Sequence, residues 1–264
     1  MTGGILLVGC GRMGGALLSG WIAKGFDPSA IVVVEPHLAP DGMMGVADFK
    51  DIPKNFKPDV VLLAVKPQVM DEVLPPYACY ADKALFLSIA AGRTLASFER
   101  ILGPETAIVR SMPNTPAAVG RGITVACANK IASKLQKARA EELLSAVGEV
   151  AWVEEESLLD AVTAVSGSGP AYVFLLAETL AKAGEKAGLE PQLAAKLARA
   201  TVFGSGELLY RLDSPPATLR QNVTSPGGTT AAALAVLMAE NGGLQPLIDE
   251  AVAAAAKRSR ELAN

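Results

Sequence analysis

Three glycines in "ILLVGCGRMGGALLSGW", Gly9, Gly11 and Gly14, stand in a spacing that lets a main chain wrap an anion. Gly9 permits a tight turn, Gly11 leaves room for a pyrophosphate to approach the backbone, and Gly14 allows a helix to pack closely on a strand. The first turn of that helix offers N–H groups without acceptors. An apolar run before the loop and an amphipathic helix after it are the context in which this spacing signals a dinucleotide. The next apolar run, "IVVV", ends in Glu35, placed to accept from the adenosine ribose hydroxyls. A carboxylate beside a 2′-phosphate costs about 4 kcal/mol at 4 Å and an effective dielectric of 20, before solvent screening and any offset from Arg12. On this ground alone NADH is favoured over NADPH.

Further strand ends supply candidates for the other half of the nucleotide, since open α/β sheets bind ligands at the carboxyl ends of their strands. "VVLLAVKPQ" ends on Lys66 and Pro67, and "LFLSIAAG" ends on Ala90, Ala91 and Gly92, small enough for a flat ring to lie close. Lys66 is equally read as a solvated lysine after a strand. A second glycine-rich junction lies in "NVTSPGGTTAAALAVLMAE", residues 222–240. Ser225 as N-cap, Pro226 at the first helical position and Gly227 and Gly228 behind it describe a helix start with unshielded N–H groups, and Thr229 and Thr230 add hydroxyls. Such a terminus suits a carboxylate or phosphate; an ordinary capped helix is the alternative.

Other chemistry is excluded by what the chain lacks. Its single histidine, His37, stands two residues past Glu35, on the adenosine side of the expected site, so a histidine general base and a hydrolytic triad are not expected. The stretch "SGSGPAYVFLLAE" is followed by no lysine until Lys182, whereas the 6-phosphogluconate and β-hydroxyacid dehydrogenases, which share a similar two-domain plan, use a lysine just inside the comparable helix, and this weakens an alcohol-oxidation reading. Cys10, Cys79 and Cys127 are odd in number and widely spaced, so neither a disulfide framework nor a metal site is expected, and a reducing cytoplasm fits. With 24 basic against 27 acidic residues and no basic block, nucleic acid is not an expected partner. The longest uncharged run, "AVTAVSGSGPAYVFLLA" at 161–177, is too interrupted for a membrane span and reads as a buried core helix.

The elements that must position these residues fall into two textures. Up to about residue 153 the runs "ILLV", "IVVVE", "DVVLLAV", "ALFLSIA", "AIVRSM" and "EVAWV" alternate with helical stretches, which implies parallel strands and crossover helices. After Glu156 the chain turns to long alanine- and leucine-rich helical segments, apolar on more than one face. The fold class expected is therefore α/β, a Rossmann-type doubly wound sheet followed by an all-α part, with a dinucleotide domain at 1–156 and a helical domain at 157–264. Helices apolar all round are buried ones, so a partner chain is implied.

Several segments together resemble the pyrroline-5-carboxylate reductase family: "GCGRMGGAL", "LLAVKPQ", "SIAAG", "VRSMPNTPAAVGRG", "DAVTAVSGSGPAYVFLLAETLAKAGEKAGL", "NVTSPGGTTAAAL" and "AVAAAAKRSREL", in the family's order over nearly the whole chain. The resemblance implies reduction of 1-pyrroline-5-carboxylate to L-proline with hydride from NADPH or NADH, the last step of proline synthesis. It implies a helical dimerisation domain, a homodimer through the C-terminal helices, and in some members a ring of dimers. By matching position Val8, Gly9, Cys10, Gly11, Arg12 and Met13 form the pyrophosphate loop, and Ala64, Val65, Lys66 and Pro67 line the cofactor with Ala90, Ala91 and Gly92. Asn222 matches a further cofactor contact and Glu156 a residue near the substrate. Ser225, Gly227, Gly228, Thr229 and Thr230 match the loop for the substrate carboxylate, with the Thr230 hydroxyl facing the imine nitrogen. Two departures stand out: Pro215 replaces a histidine found in many members, and Glu35 replaces the small or basic residue of members that prefer NADPH. Alternatives to this reading are a related imine or 2-keto acid reductase and a nonenzymatic NAD(P)-sensing protein.

Overall fold

Apolar runs become strands here because both their faces are covered. In a computed structural model of the chain, residues 3–36 and 42–263 are described, and His37 lies outside them. Strand β1 (Gly4–Val8) sends Ile5 and Leu7 into one core and Leu6 and Val8 into the other. All four are at most 1% exposed, so the alternation of faces leaves no polar position to interrupt the run. The same holds for β2 (Ile31–Val34), in which every residue is buried. With β3 (Met44–Val46), β4 (Pro58–Leu63), β5 (Leu85–Ser88), β6 (Ile108–Met112), β7 (Gly122–Ala128) and β8 (Gly148–Trp152), the described residues form one sheet of order β3-β2-β1-β4-β5-β6-β7-β8. The direction of winding reverses between β1 and β4, which makes that pair the switch point at which doubly wound sheets bind ligands.

An entirely parallel sheet does not hold. Strands β3 and β7 escape the sequence pattern, and β6 pairs with β7 antiparallel. The two are joined by a short 3₁₀ turn, Thr115–Val119, too short for a crossover, and Asn114 Oδ1 fixes the return by accepting from the Ile123 N–H at 2.9 Å. Helices α1 (Arg12–Ala23) and, later in the chain, α4 (Lys134–Leu144) cover one face with Leu17, Leu18, Trp21, Leu143 and Leu144. Helices α2 (Met70–Val73) and α3 (Leu95–Leu102) cover the other with Met70, Phe98 and Leu102. Trp21 is fully buried and its indole Nε1 donates to the Leu143 carbonyl at 2.9 Å, so α1 and α4 are joined by a directional bond as well as by packing.

The chain divides into two compact units, Met1–Gly167 with Ala255–Asn264, and Ser168–Ala254. The first therefore keeps α5 (Leu158–Val162) and the π-turn Thr163–Gly167 that follows it, and also regains the end of the chain. There Ser259 Oγ donates to Asp160 Oδ1 at 2.6 Å.

The second unit is made of α6 (Gly169–Lys186), α7 (Pro191–Arg211), α8 (Pro216–Asn222), α9 (Thr229–Leu237) and most of α10 (Leu244–Ala263). Helices α6 and α7 meet at Gly184 and Ala194, where a Cβ on the glycine would come 3.3 Å from the alanine Cβ. Ala194 and Ala198 are the buried residues of α7, and none of α6 is buried. The expected buried core helix at 161–177 is thus corrected for the single chain, since Phe174 is 68% exposed, and Phe203 of α7 is likewise 73% exposed. One helical stretch, Leu158–Lys186, is long and apolar enough by length and composition to cross a membrane, with 11% of its apolar window buried. Covering a large apolar side chain is worth about 1.5–3 kcal/mol, and patches of this extent mark interaction surfaces. A Phe174→Arg variant should run as a monomer, by light scattering, at concentrations where the natural chain self-associates; an unchanged mass would place the interface elsewhere.

Candidate active site

The glycine-rich loop leaves β1 in the register set by its neighbours. The Gly9 N–H donates to the Val34 carbonyl at 2.9 Å, and the Ala64 N–H to the Val8 carbonyl at 2.8 Å, so three chain segments depart side by side at the sheet's carboxyl edge. Gly14 is where close approach demands glycine: a Cβ there would lie 2.6 Å from the Gly9 carbonyl oxygen and 3.1 Å from the Ala64 Cβ. Around Gly11, by contrast, a Cβ would meet nothing within 4 Å. Gly11 is the N-cap of α1 and no side chain caps the helix, so its first N–H groups face that open space. A cradle of this form fits a pyrophosphate, whose charge the helix terminus complements.

Glu35 reaches back to the same loop. Its Oε2 accepts from the Cys10 N–H at 2.8 Å, which fixes the carboxylate at the edge of the cradle. Burial, and then the charge of Glu35, push the Cys10 thiol above its ordinary pKa, so it stays protonated and unreactive at neutral pH. Ala64 and Val65 follow β4 half-buried, Lys66 is exposed, and Pro67 opens a short 3₁₀ turn. Ala90 is buried and Ala91 exposed after β5, and the Ala90 N–H donates to Ser88 Oγ at 3.2 Å. The residues expected at the cofactor from Val8 to Gly92 therefore share one rim of one sheet.

Sequence reasoning named Glu156 but missed the charged side chains around it and beside this rim, Arg110, Arg93 and Asp71. Arg110 interrupts the buried run "IVRSM" and is 6% exposed, and a charge at such a position needs a partner. That partner is Glu156, whose Oε1 accepts from Arg110 Nη1 at 2.6 Å and from the Leu95 N–H at 2.8 Å. Across the loop after β5, Arg93 makes a two-pronged ion pair with Asp71: its Nη1 donates to Oδ2 at 3.0 Å and its Nη2 to Oδ1. The signal that could have found the first pair was the arginine inside an apolar strand. The second leaves none, because Asp71 and Arg93 both sit in loop or helix-end positions where charge is ordinary. Among the described residues no three His, Cys, Asp or Glu side chains cluster closely enough to hold a metal ion.

In the second unit the expected helix start moves. Ser225 is not the N-cap: Ser225, Pro226, Gly227 and Gly228 form a turn in which the Gly228 N–H donates to the Ser225 carbonyl at 3.0 Å, and α9 begins at Thr229 with Gly228 as N-cap. Proline second and a glycine with φ of +72° third are the requirements of a type II turn, which here displaces the cap by three positions. No side chain caps α9, so the N–H groups of its first turn remain available beside the Thr229 and Thr230 hydroxyls. Asn222 ends α8 and is exposed. A Gly11→Val variant tests the first cradle: with nothing within 4 Å, the fold should survive, while nucleotide affinity, read by calorimetry, should fall by about tenfold or more. Retained affinity would move the pyrophosphate away from this loop.

The chain is similar to known proteins over nearly its whole length. Residues 156–262 match the family model described as pyrroline-5-carboxylate reductase dimerisation, and residues 4–92 match one described as NADP oxidoreductase, coenzyme F420-dependent. A pyrroline-5-carboxylate reductase of Synechocystis is 47% identical over 262 residues, 97% of each chain. The solved structure of a pyrroline-5-carboxylate reductase from Coxiella burnetii superposes with a TM-score of 0.91 at 38% identity, covering all of both chains. That of the Plasmodium falciparum enzyme with NADP bound gives 0.84 at 31% identity, over 99% of this chain and 98% of that one. The match of residues 156–262 to a dimerisation model supports a homodimer. From the rim of the nucleotide cradle to the last helix, the chain belongs to the pyrroline-5-carboxylate reductase family, oxidoreductases of proline biosynthesis that use a pyridine nucleotide.

Proposed function

We propose that the two glycine-rich turns divide the reaction between them, residues 1–156 holding the nucleotide and residues 157–264 the substrate and the dimer surface. The observation that carries this is the uncapped start of α9, an anion site next to two threonine hydroxyls with no base among them. Val8 to Gly14 would hold the pyrophosphate, Glu35 the adenosine ribose, and Ala64, Val65, Lys66 and Pro67 with Ala90, Ala91, Gly92 and Asn222 the remainder of the nucleotide. When bound, the reduced nicotinamide supplies a hydride. Ser225, Gly227, Gly228, Thr229 and Thr230 would take the substrate carboxylate, and Glu156 matches a family residue near the substrate, close to it without having to contact it.

The substrate's own chemistry explains why so few side chains suffice. A protonated imine carries the positive charge that draws hydride to carbon; two electrons reduce the C=N bond and the nitrogen keeps its proton, leaving the secondary amine of proline. The protein must position and orient, with the Thr230 hydroxyl directed to the nitrogen, rather than abstract a proton. For the nucleotide, the Cys10 N–H holds the Glu35 carboxylate where it would meet a 2′-phosphate, which supports NADH over NADPH even though the Plasmodium falciparum relative was solved with NADP. A ring of dimers and a cytoplasmic location complete the proposal.

Purified protein should oxidise NADH or NADPH only when 1-pyrroline-5-carboxylate is present; no turnover with either nucleotide would refute the assignment. Thr230→Ala should lower kcat by about tenfold to a hundredfold, with Thr230→Ser restoring most of it. Equal rates would remove the hydroxyl from the chemistry. Glu35→Ser should raise kcat/KM for NADPH relative to NADH, and a ratio that does not move would refute the repulsion argument.

A further inference from the structure

The segment from Ala90 to Thr94 carries three of the residues proposed to line the nucleotide, yet it has little packing of its own: Ala90 is 4% exposed, and the residues after it are exposed or half-buried. Leu262, near the end of α10, lies close against Gly92, and beyond that contact the segment is tied by charge from both sides. On one side Asp71, at the start of α2, grips the Arg93 guanidinium with both carboxylate oxygens. On the other, Glu156 takes the Leu95 N–H at the first position of α3 and is itself held by Arg110. Thr94 Oγ1 accepts from the Ser97 N–H at 3.2 Å, so Thr94 and Glu156 between them satisfy two of the N–H groups that the start of α3 leaves open. These bonds join positions 22, 61 and 46 residues apart in sequence, and all of them converge on the end of one loop.

One oxygen of Glu156 is committed to holding the loop. Its Oε1 already accepts two hydrogen bonds, and the partner that neutralises it, Arg110, is almost wholly buried. A carboxylate so paired has little net charge left to offer an iminium.

We infer that Glu156 and Asp71 are positioning residues for hydride transfer: Glu156 acts through the Leu95 N–H and Arg110, Asp71 acts through Arg93, and together they fix the Ala90–Thr94 segment without touching the substrate. This rests on the proposed place of Ala90, Ala91 and Gly92 at the nucleotide. A loop free to shift by an ångström loses the alignment on which transfer depends, and misplacements of that size cost up to about a hundredfold in rate.

The test separates the substrate from the loop. Glu156→Ala and Asp71→Ala should each weaken NADH binding, read by nucleotide fluorescence in the absence of substrate, by about threefold to tenfold, and lower kcat about tenfold. KM for 1-pyrroline-5-carboxylate should stay within about twofold, and Glu156→Gln, whose amide oxygen still accepts from the Leu95 N–H, should recover most of the nucleotide affinity. A rise of about tenfold or more in KM for 1-pyrroline-5-carboxylate with nucleotide affinity unchanged would make Glu156 a substrate contact and overturn the inference. So would an Asp71→Ala variant that binds and turns over like the natural chain. If Glu156→Ala does not fold, because it leaves Arg110 buried and unpaired, Asp71→Ala decides, since the Asp71 side chain is 68% exposed and its loss leaves the core intact. A natural chain inactive on 1-pyrroline-5-carboxylate would defeat the functional reading, while nucleotide affinity would still report on the two ion pairs.

Discussion

Everything in the first unit depends on the register of four parallel strands. Val8 lies opposite Val34 on one side and Leu63 on the other, and Leu63 lies opposite Ser88. The next residues, Gly9, Glu35, Ala64 and Ile89, therefore leave the sheet at one level, and a nucleotide laid across the switch point meets all four loops. Slipping one strand by a residue would exchange its two buried faces and carry its loop away from the rim. Because both faces are core, the strands have almost no freedom to carry function, and chemistry is confined to the residues that follow them.

Charge placement follows the same division between rim and base. At the opposite end of the sheet, Asp59 opens β4 beside Arg139 of α4, with Arg139 Nε 3.5 Å from Oδ2. Burial pushes the Asp59 carboxyl above the usual carboxylate range despite that arginine, the mark of a pair that does not fully offset its desolvation. At the carboxyl rim the Arg110–Glu156 contact is 2.6 Å and the Arg93–Asp71 contact has two prongs. Ion pairs are poor sources of stability whether buried, as at Arg110, or partly exposed, as at Asp71, but they hold direction well. Pairs on exposed helix faces, such as Arg139–Glu142 at 2.7 Å, are as short but join residues only three or four apart, whereas the two rim pairs tie together segments 22 and 46 residues apart.

How much of this was legible follows from how far apart the interacting residues lie. "ILLV", "IVVV" and "DVVLL" announce strands because burial on both faces writes itself into consecutive positions. The glycine spacing is legible for the same reason, since Gly9 and Gly14 meet each other across a single turn. Strand β7 was not: "GITVACA" mixes glycine, threonine and alanine, and only its antiparallel pairing with β6 reveals it. The junction at Ser225 was half legible. Proline followed by glycine satisfies the rules for a helix start and for a type II turn alike, and sequence cannot choose between them. The pairings of Arg110 and Arg93 were out of reach because the partners lie 46 and 22 residues away, and Glu156, though named from the resemblance, carries no local sign of the arginine it meets.

The helical part poses a different problem, since its single chain is incomplete. None of the residues of α9 is buried, yet its first turn carries the hydroxyls proposed to hold the substrate. A helix terminus directs its N–H groups only as firmly as the helix is held, and a nine-residue helix has little stability of its own. The apolar residues that remain uncovered, Val236 at 72% exposure and Leu237 at 50%, lie further along this same helix. Covering them by a second copy would remove apolar surface from water and immobilise the anion site in one step. With the substrate at α9 as proposed, dimerisation and substrate binding would be coupled, the hydrophobic term supplying the rigidity that the polar term needs.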